Sequence, residues 1–196
     1  MVLTLWEIDK IVNWMALVNI AGIVDKSKTQ RGGRKPFSIE GKLRMLFLQF
    51  LYNLSDQELE DQLIDRMSFQ KFVGIALDEE IPDFVTLWRF KETLIKHNLM
   101  NRIFSSIIKQ LELKGLLIKK GTAVDATIIK SSNKPLSKEQ RIRLEKNPSS
   151  QIDTDAKSTE KNKKKYFGYK GHIGLDIESK IIRKRSFTAA NVHDSQ

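Results

Sequence analysis

Gly121-Thr122-Ala123-Val124-Asp125-Ala126-Thr127-Ile128-Ile129 is the stretch on which the rest of the chain turns, a β-branched run with one acid at its centre. Val, Ile and Thr favour a pleated, half-buried strand, and a period of two sets Ala123, Asp125, Thr127 and Ile129 on one face and Thr122, Val124, Ala126 and Ile128 on the other. Among such neighbours a carboxylate costs roughly several kcal/mol to desolvate unless something pairs with it. Two partners suit it: a lysine, from Lys119, Lys120 or Lys130, or a hard divalent cation held by oxygen ligands.

The chain around this strand has 196 residues, 40% of them hydrophobic, enough for one ordinary domain or two small ones. Its formal charge of +10 calls for an anionic partner, and nucleic acid is the commonest for a basic protein. The excess is local. Residues 41–115 hold ten basic and eleven acidic groups, whereas 130–165 hold eleven and five. Cysteine is absent, which excludes a disulfide framework and a thiolate zinc site, and His97, His172 and His193 are too scattered to replace them. The N-terminus lacks a basic leader and a cleavage site, and the apolar run from Leu43 to Leu54 contains Arg44 and is too short to span a bilayer. A cytoplasmic protein without a membrane partner is expected.

Upstream of the strand the pattern is helical. Apolar positions over residues 3–21 predict one amphipathic helix, followed by the basic stretch Lys26-Ser27-Lys28-Thr29-Gln30-Arg31-Gly32-Gly33-Arg34-Lys35-Pro36, which suits a phosphate grip or a solvated linker equally. Phe37 and Ser38 read as staple and N-cap of a helix with the stripe Leu43, Leu46, Phe47, Phe50 and Leu51. Ser55-Asp56-Gln57-Glu58 is a capping box for a helix that turns Leu59, Leu63 and Ile64 inward. A short segment covers Met67–Gly74. Pro82-Asp83 opens a helix over Phe84–His97, in which Trp88 and Phe90 read as core residues rather than base readers, and the last helix runs from Met100 to Lys114 and stops at Gly115.

Downstream, residues 130–165 are rich in Lys, Arg, Ser and Asn and read as an exposed insertion with the composition of a disordered segment, holding a short helix at Lys138–Lys146 and closing on Lys161, Lys163, Lys164 and Lys165. Tyr166 to Asp176 alternates, with Phe167, Tyr169, Ile173 and Leu175 on a core face and Lys170, His172 and Asp176 on a solvent face. Residues 177–180 form a turn, and Ile181–Ala190 returns with Arg183, Lys184 and Arg185. Glycines 168, 171 and 174 leave room for another backbone or a DNA strand.

Val124-Asp125-Ala126-Thr127, the run from Phe167 to Asp176 and Asn191-Val192-His193-Asp194-Ser195 resemble the DDE transposases of bacterial insertion sequences, specifically the insertion-sequence five family. Leu54-Ser55-Asp56-Gln57-Glu58-Leu59-Glu60 and the run from Pro82 to Phe90 resemble the helical N-terminal domain of that family. The resemblance implies an α+β chain: an N-terminal helix and basic loop (1–36), a helical domain (37–115), and the first three strands of an RNase H-like domain (116–196) around the insertion 130–165. It further implies Mg²⁺- or Mn²⁺-dependent cleavage and transfer of double-stranded DNA at terminal inverted repeats by an oligomer.

Of the three family carboxylates only the first maps here, onto Asp125 as catalytic residue and metal ligand. The Asp-x-Gly-Tyr setting of the second and the later Glu do not occur before Gln196. Asp194 is a lesser candidate, better suited to capping a helix, and His172 is another. Asp153, Asp155, Asp176 and Glu178 are not expected to substitute. The resemblance therefore implies an N-terminal portion of a transposase that binds DNA through Lys161, Lys163, Lys164, Lys165, Lys170, Arg183, Lys184 and Arg185 but does not cut it, or alternatively an inactive DNA-binding regulator or inhibitor of transposition.

Overall fold

A computed structural model describes residues 4–24, 36–76, 78–117, 121–147, 152–161 and 163–192. The chain divides into two compact units, Met1–Gly115 and Leu116–Gln196, the first helical and the second built on an antiparallel sheet. The class is α+β. Among the described residues no helix is long and apolar enough to cross a membrane.

The first unit contains α1 (Leu5–Ile11), α2 (Trp14–Ala21), α3 (Ile39–Tyr52), α4 (Asp56–Asp65), α5 (Met67–Val73), α6 (Phe84–Lys96) and α7 (Leu99–Leu113). The single helix expected over 3–21 is two, because Asn13 leaves the helical path and its side chain accepts from Ala16 N at 3.2 Å to cap α2. The other caps are where their residues put them: Ser38, Ser55 and Asp83 begin α3, α4 and α6, with a reciprocal box between Ser55 and Glu58. Met67–Val73 is helical and ends on Gly74 at φ 84°.

Leu17, Leu48, Leu59, Leu63, Phe69, Leu87, Leu94 and Leu99 fill the core of this unit. Three expectations about its facing residues are corrected. Phe50 (67% exposed) and Leu51 lie outside, with Met45 and Leu48 buried in their place; Ile64 is exposed; and Trp88, expected in the core, is 51% exposed while Phe90 is buried. Periodicity gives an apolar stripe, but the neighbouring helices set how far it is rotated.

Two polar nodes tie these helices together. The Arg44 guanidinium on α3 meets Asp9 of α1 at 2.6 Å, Glu40 at 2.9 Å and the Phe72 carbonyl of α5 at 3.0 Å, and its carbon lies 4.4 Å from the Trp14 ring centre. On the other side of α3, buried Gln49 donates to Asp56 of α4, which is paired with Lys91 of α6. Burial pushes the Asp56 carboxyl up, but the hydrogen bonds from Lys91 and Gln49 outweigh it and hold the group below its ordinary range.

The second unit is organised by β3 (Lys164–Asp176), to which every other described strand pairs. β1 (Thr122–Lys130) runs antiparallel along one edge, with Asp125 opposite Ile173. Along the other edge lie, end to end, β2 (Lys157–Lys161) beside residues 164–168 and β4 (Ile182–Ala189) beside residues 169–175. The insertion is therefore more ordered than its composition suggests: it supplies α8 (Lys138–Lys146), capped reciprocally by Ser137 and Gln140, and a strand of the sheet, so that four strands stand where three were expected.

Gly168 permits the junction where β1, β2 and β4 meet. Its φ is 151°, and a Cβ there would stand 2.1 Å from the Ile129 carbonyl oxygen and 2.7 Å from Ser131 N. Ala156, just before β2, and Ala190, just after β4, are buried, and Ala190 N donates to the Gly168 carbonyl. Neither sheet face is a core: Val124 is 73% and Phe187 64% exposed, which corrects the half-buried first strand and the core face expected for Phe167 to Leu175.

Trp6, Trp14 and Trp88 all belong to the helical unit, so tryptophan fluorescence reports its unfolding alone. Leu63→Ala is expected to lower that unit's stability by about 2–5 kcal/mol in urea, as truncation in a filled core does. Gly168→Ala leaves the tryptophan transition in place but makes residues 116–196 readily proteolysed. Because a depressed carboxyl contributes stability above its unfolded pKa and loses it as pH falls through the folded value, Asp56→Asn and the wild type should differ in urea midpoint near neutrality and converge in acid.

Candidate functional site

Strand pairing assigns each side chain of the sheet to a face. Asp125 lies in a cross-strand row with Ile173 and Arg185, and the next row brings Thr127, Gly171 and Phe187 together. On this face Ile129 and Phe187 lean over Gly171, where a Cβ would meet their side chains at 3.1 and 3.3 Å. The other face carries Val124, Gly174 and Lys184 in one row, and Ala126, His172 and Ser186 in the next. Asp125 thus projects from the more apolar side, beside Ile173 and one cation.

Its carboxylate is exposed and accepts a hydrogen bond from its own strand, Ala126 N to Oδ1 at 2.9 Å. Exposure removes the desolvation cost expected for it. Lys130, one of the lysines offered as its partner, instead sits 5.6 Å from the Tyr166 ring centre, and Lys119 and Lys120 lie outside the described residues. Among the described residues no three His, Asp or Glu side chains gather as a metal ion would require. A single carboxylate does not meet the several oxygen ligands that Mg²⁺ needs, so this donor set alone does not fit a two-metal site.

The two lesser candidates are not brought to Asp125. His172 is on the opposite face, its Nε2 3.1 Å from Thr188 Oγ1, and Asp194 lies outside the described residues, as does the basic stretch 26–35. Lys161, Lys163, Lys164 and Lys165 surround the exposed tip of the β2–β3 hairpin, with Lys163 at φ 61° in the turn. Lys170 donates to the Val192 carbonyl at 2.8 Å. A bulge opposite Gly174 and Leu175 leaves Arg183 out of the pairing, and its guanidinium reaches Thr122 Oγ1 at 3.3 Å. Lys184 and Arg185 are exposed on opposite faces.

Two acids set aside on sequence hold the unit's loops. Asp176 is fully buried, and its Oδ2 accepts from Ser179 N at 3.0 Å and Oγ at 2.8 Å, closing the β3–β4 turn. Asp153 accepts from Tyr169 Oη, from the backbone N–H of Asp155 and Ala156, each at 3.1 Å, and from Ser131 Oγ at 3.3 Å. Both follow the habit of Asp to accept from N–H groups two or three residues on, a signal visible in Asp153-Thr154-Asp155-Ala156 and Asp176-Ile177-Glu178-Ser179. The hydrogen bond from Tyr169 holds the Asp153 carboxyl below its usual range, and the same bond pushes the Tyr169 phenol up to about 12.

Two family models match the chain in succession. Residues 3–93 match a transposase domain family (DUF772), and residues 117–196 match the transposase DDE domain. The second implies an RNase H-like fold, which β1, β3 and β4 fit, with β3 between its two antiparallel neighbours. No solved structure matches the chain significantly.

Tyr169 is expected to ionise near pH 12 in a titration of tyrosinate absorbance. Asp153→Asn brings that step down toward the ordinary tyrosine range, and Tyr169→Phe abolishes it. An unchanged titration in Asp153→Asn would contradict the bond.

Proposed function

The chain belongs to the DDE transposases, and from that footing we propose that it serves DNA transposition of a bacterial insertion sequence of the insertion-sequence five type. The observation that carries this is the order of the two domains, with Asp125 displayed to solvent in the middle of the first strand of the DDE domain. In this reading Asp125 is one oxygen ligand for a divalent cation, Mg²⁺ or Mn²⁺, whose chemistry would be the activation of a nucleophile and steadying of a leaving oxygen at a phosphodiester. In this reading the described residues supply one such ligand, Asp125, and further carboxylates complete the site. The polypeptide alone then binds duplex DNA at terminal inverted repeats without cutting it, and oligomerises in the complete enzyme.

The absence of any three-acid or acid–histidine cluster among the described residues favours a second reading, in which the chain is an inactive DNA-binding regulator or inhibitor of transposition. The two separate on whether adding a complete copy of the enzyme restores or suppresses strand transfer.

In a mobility-shift assay with an inverted-repeat duplex, the purified chain is expected to bind and Asp125→Asn to bind within about twofold of it, because an exposed strand acid makes no phosphate contact. With Mg²⁺ present no nicked product should form. Nicking that disappears in Asp125→Asn would show that this chain completes a metal site by itself.

A further inference from the structure

The register divides the cations of the sheet unequally. Lys130, Lys161, Lys164, Lys170 and Lys184 all occupy positions on the side away from Asp125, because they fall on or pair with even-numbered positions of β3, whereas Asp125 pairs with odd-numbered Ile173. Side-chain neighbours agree with the division: Lys130 lies over Tyr166, His172 reaches Thr188, and Arg183 crosses to Thr122, all on that same side. The strand acids do not share it as free charges. Asp125 and Glu160 are on the other side, and Asp176 is buried in its turn.

We propose that this lysine face is a docking surface for the phosphate backbone of duplex DNA, held on the side of the sheet opposite to Asp125. The inference rests on the transposase reading and refines it: the groups that grip DNA and the carboxylate that would act on it address different stretches of nucleic acid, or one that passes round a sheet edge. Charge complementarity carries the choice of partner. The face extends from Lys184 on β4 to the tip of the β2–β3 hairpin, and its cations stand on a backbone whose spacing is set by hydrogen bonds, which suits a regular polyanion. Of these, Lys130, Lys161, Lys164 and Lys184 are exposed, while Lys170 is partly buried against the Val192 carbonyl.

Neighbouring residues give a matched test. Lys164 and Lys184 lie on the proposed face; Lys165 and Arg185, one residue further along each strand, lie on the Asp125 side, and all four are exposed. K164Q/K184Q and K165Q/R185Q in the full chain remove two positive charges each from the same two strands. Binding of an inverted-repeat duplex is followed over a salt series, with circular dichroism and limited proteolysis of residues 116–196 as folding controls and the single variants K164Q and K184Q in reserve should the double variant misfold. The slope of log affinity against log salt should fall by about two for K164Q/K184Q, near 0.9 for each phosphate no longer neutralised, and by less than about half a unit for K165Q/R185Q. Equal losses, or a larger loss for K165Q/R185Q, overturn the face assignment while leaving DNA binding intact. A wild-type chain that does not bind duplex DNA sinks the transposase reading of this polypeptide as well, and a loss seen with structured RNA but not with duplex overturns the choice of partner.

Discussion

At residue 168 the backbones of neighbouring strands approach as closely as they do because no side chain is there. The Ile129 carbonyl oxygen occupies the space a Cβ would need, and Ser131 N donates to the Phe167 carbonyl at 2.9 Å just beyond. On the opposite edge β2 begins and β4 ends within a residue of the same point. The strand unit buries few large apolar side chains, so its geometry depends on the ladders that converge here and on the Asp153 and Asp176 nodes that fasten its loops. Where Asp125 stands and which way the lysines face both follow from this register, since a shift of one residue would exchange the two faces.

The helical unit is held in the opposite manner. It has a continuous apolar core, and its polar contacts are few and shared: Arg44 satisfies its donors on α1, α3 and α5 while stacking on Trp14 and Phe72, and Asp56 joins α3, α4 and α6. A guanidinium suits the first role because its planar fork can bind two carboxylates and still lie on an aromatic face. One chain thus combines a unit stabilised by burial with one stabilised by backbone pairing.

Local chemistry is the most legible part of the sequence. Ser38, Ser55 and Asp83 announce helix starts because a side-chain oxygen satisfies free N–H groups whatever packs nearby, and the strands around Asp125 and Phe167 follow from β-branched residues and alternation. Facing is less legible. Trp88, Phe50 and Ile64 belong to apolar stripes, but which side of a stripe is covered depends on partners distant in sequence. The insertion reads as disordered because composition measures the apolar surface a segment can bury, whereas β2 is ordered by backbone bonds to β3, which need none. For the site, the cations can be picked out singly but not sorted, since their sides depend on cross-strand pairing and on the bulge that turns Arg183 toward β1.

Beyond Gly168 the β2–β3 arm continues as only two strands. Isolated pairs of strands coil more tightly than wide sheets, so successive side chains along the arm point in progressively rotated directions. Cations spaced along such a path describe a screw rather than a plate, with a handedness inherited from the L-amino acids themselves.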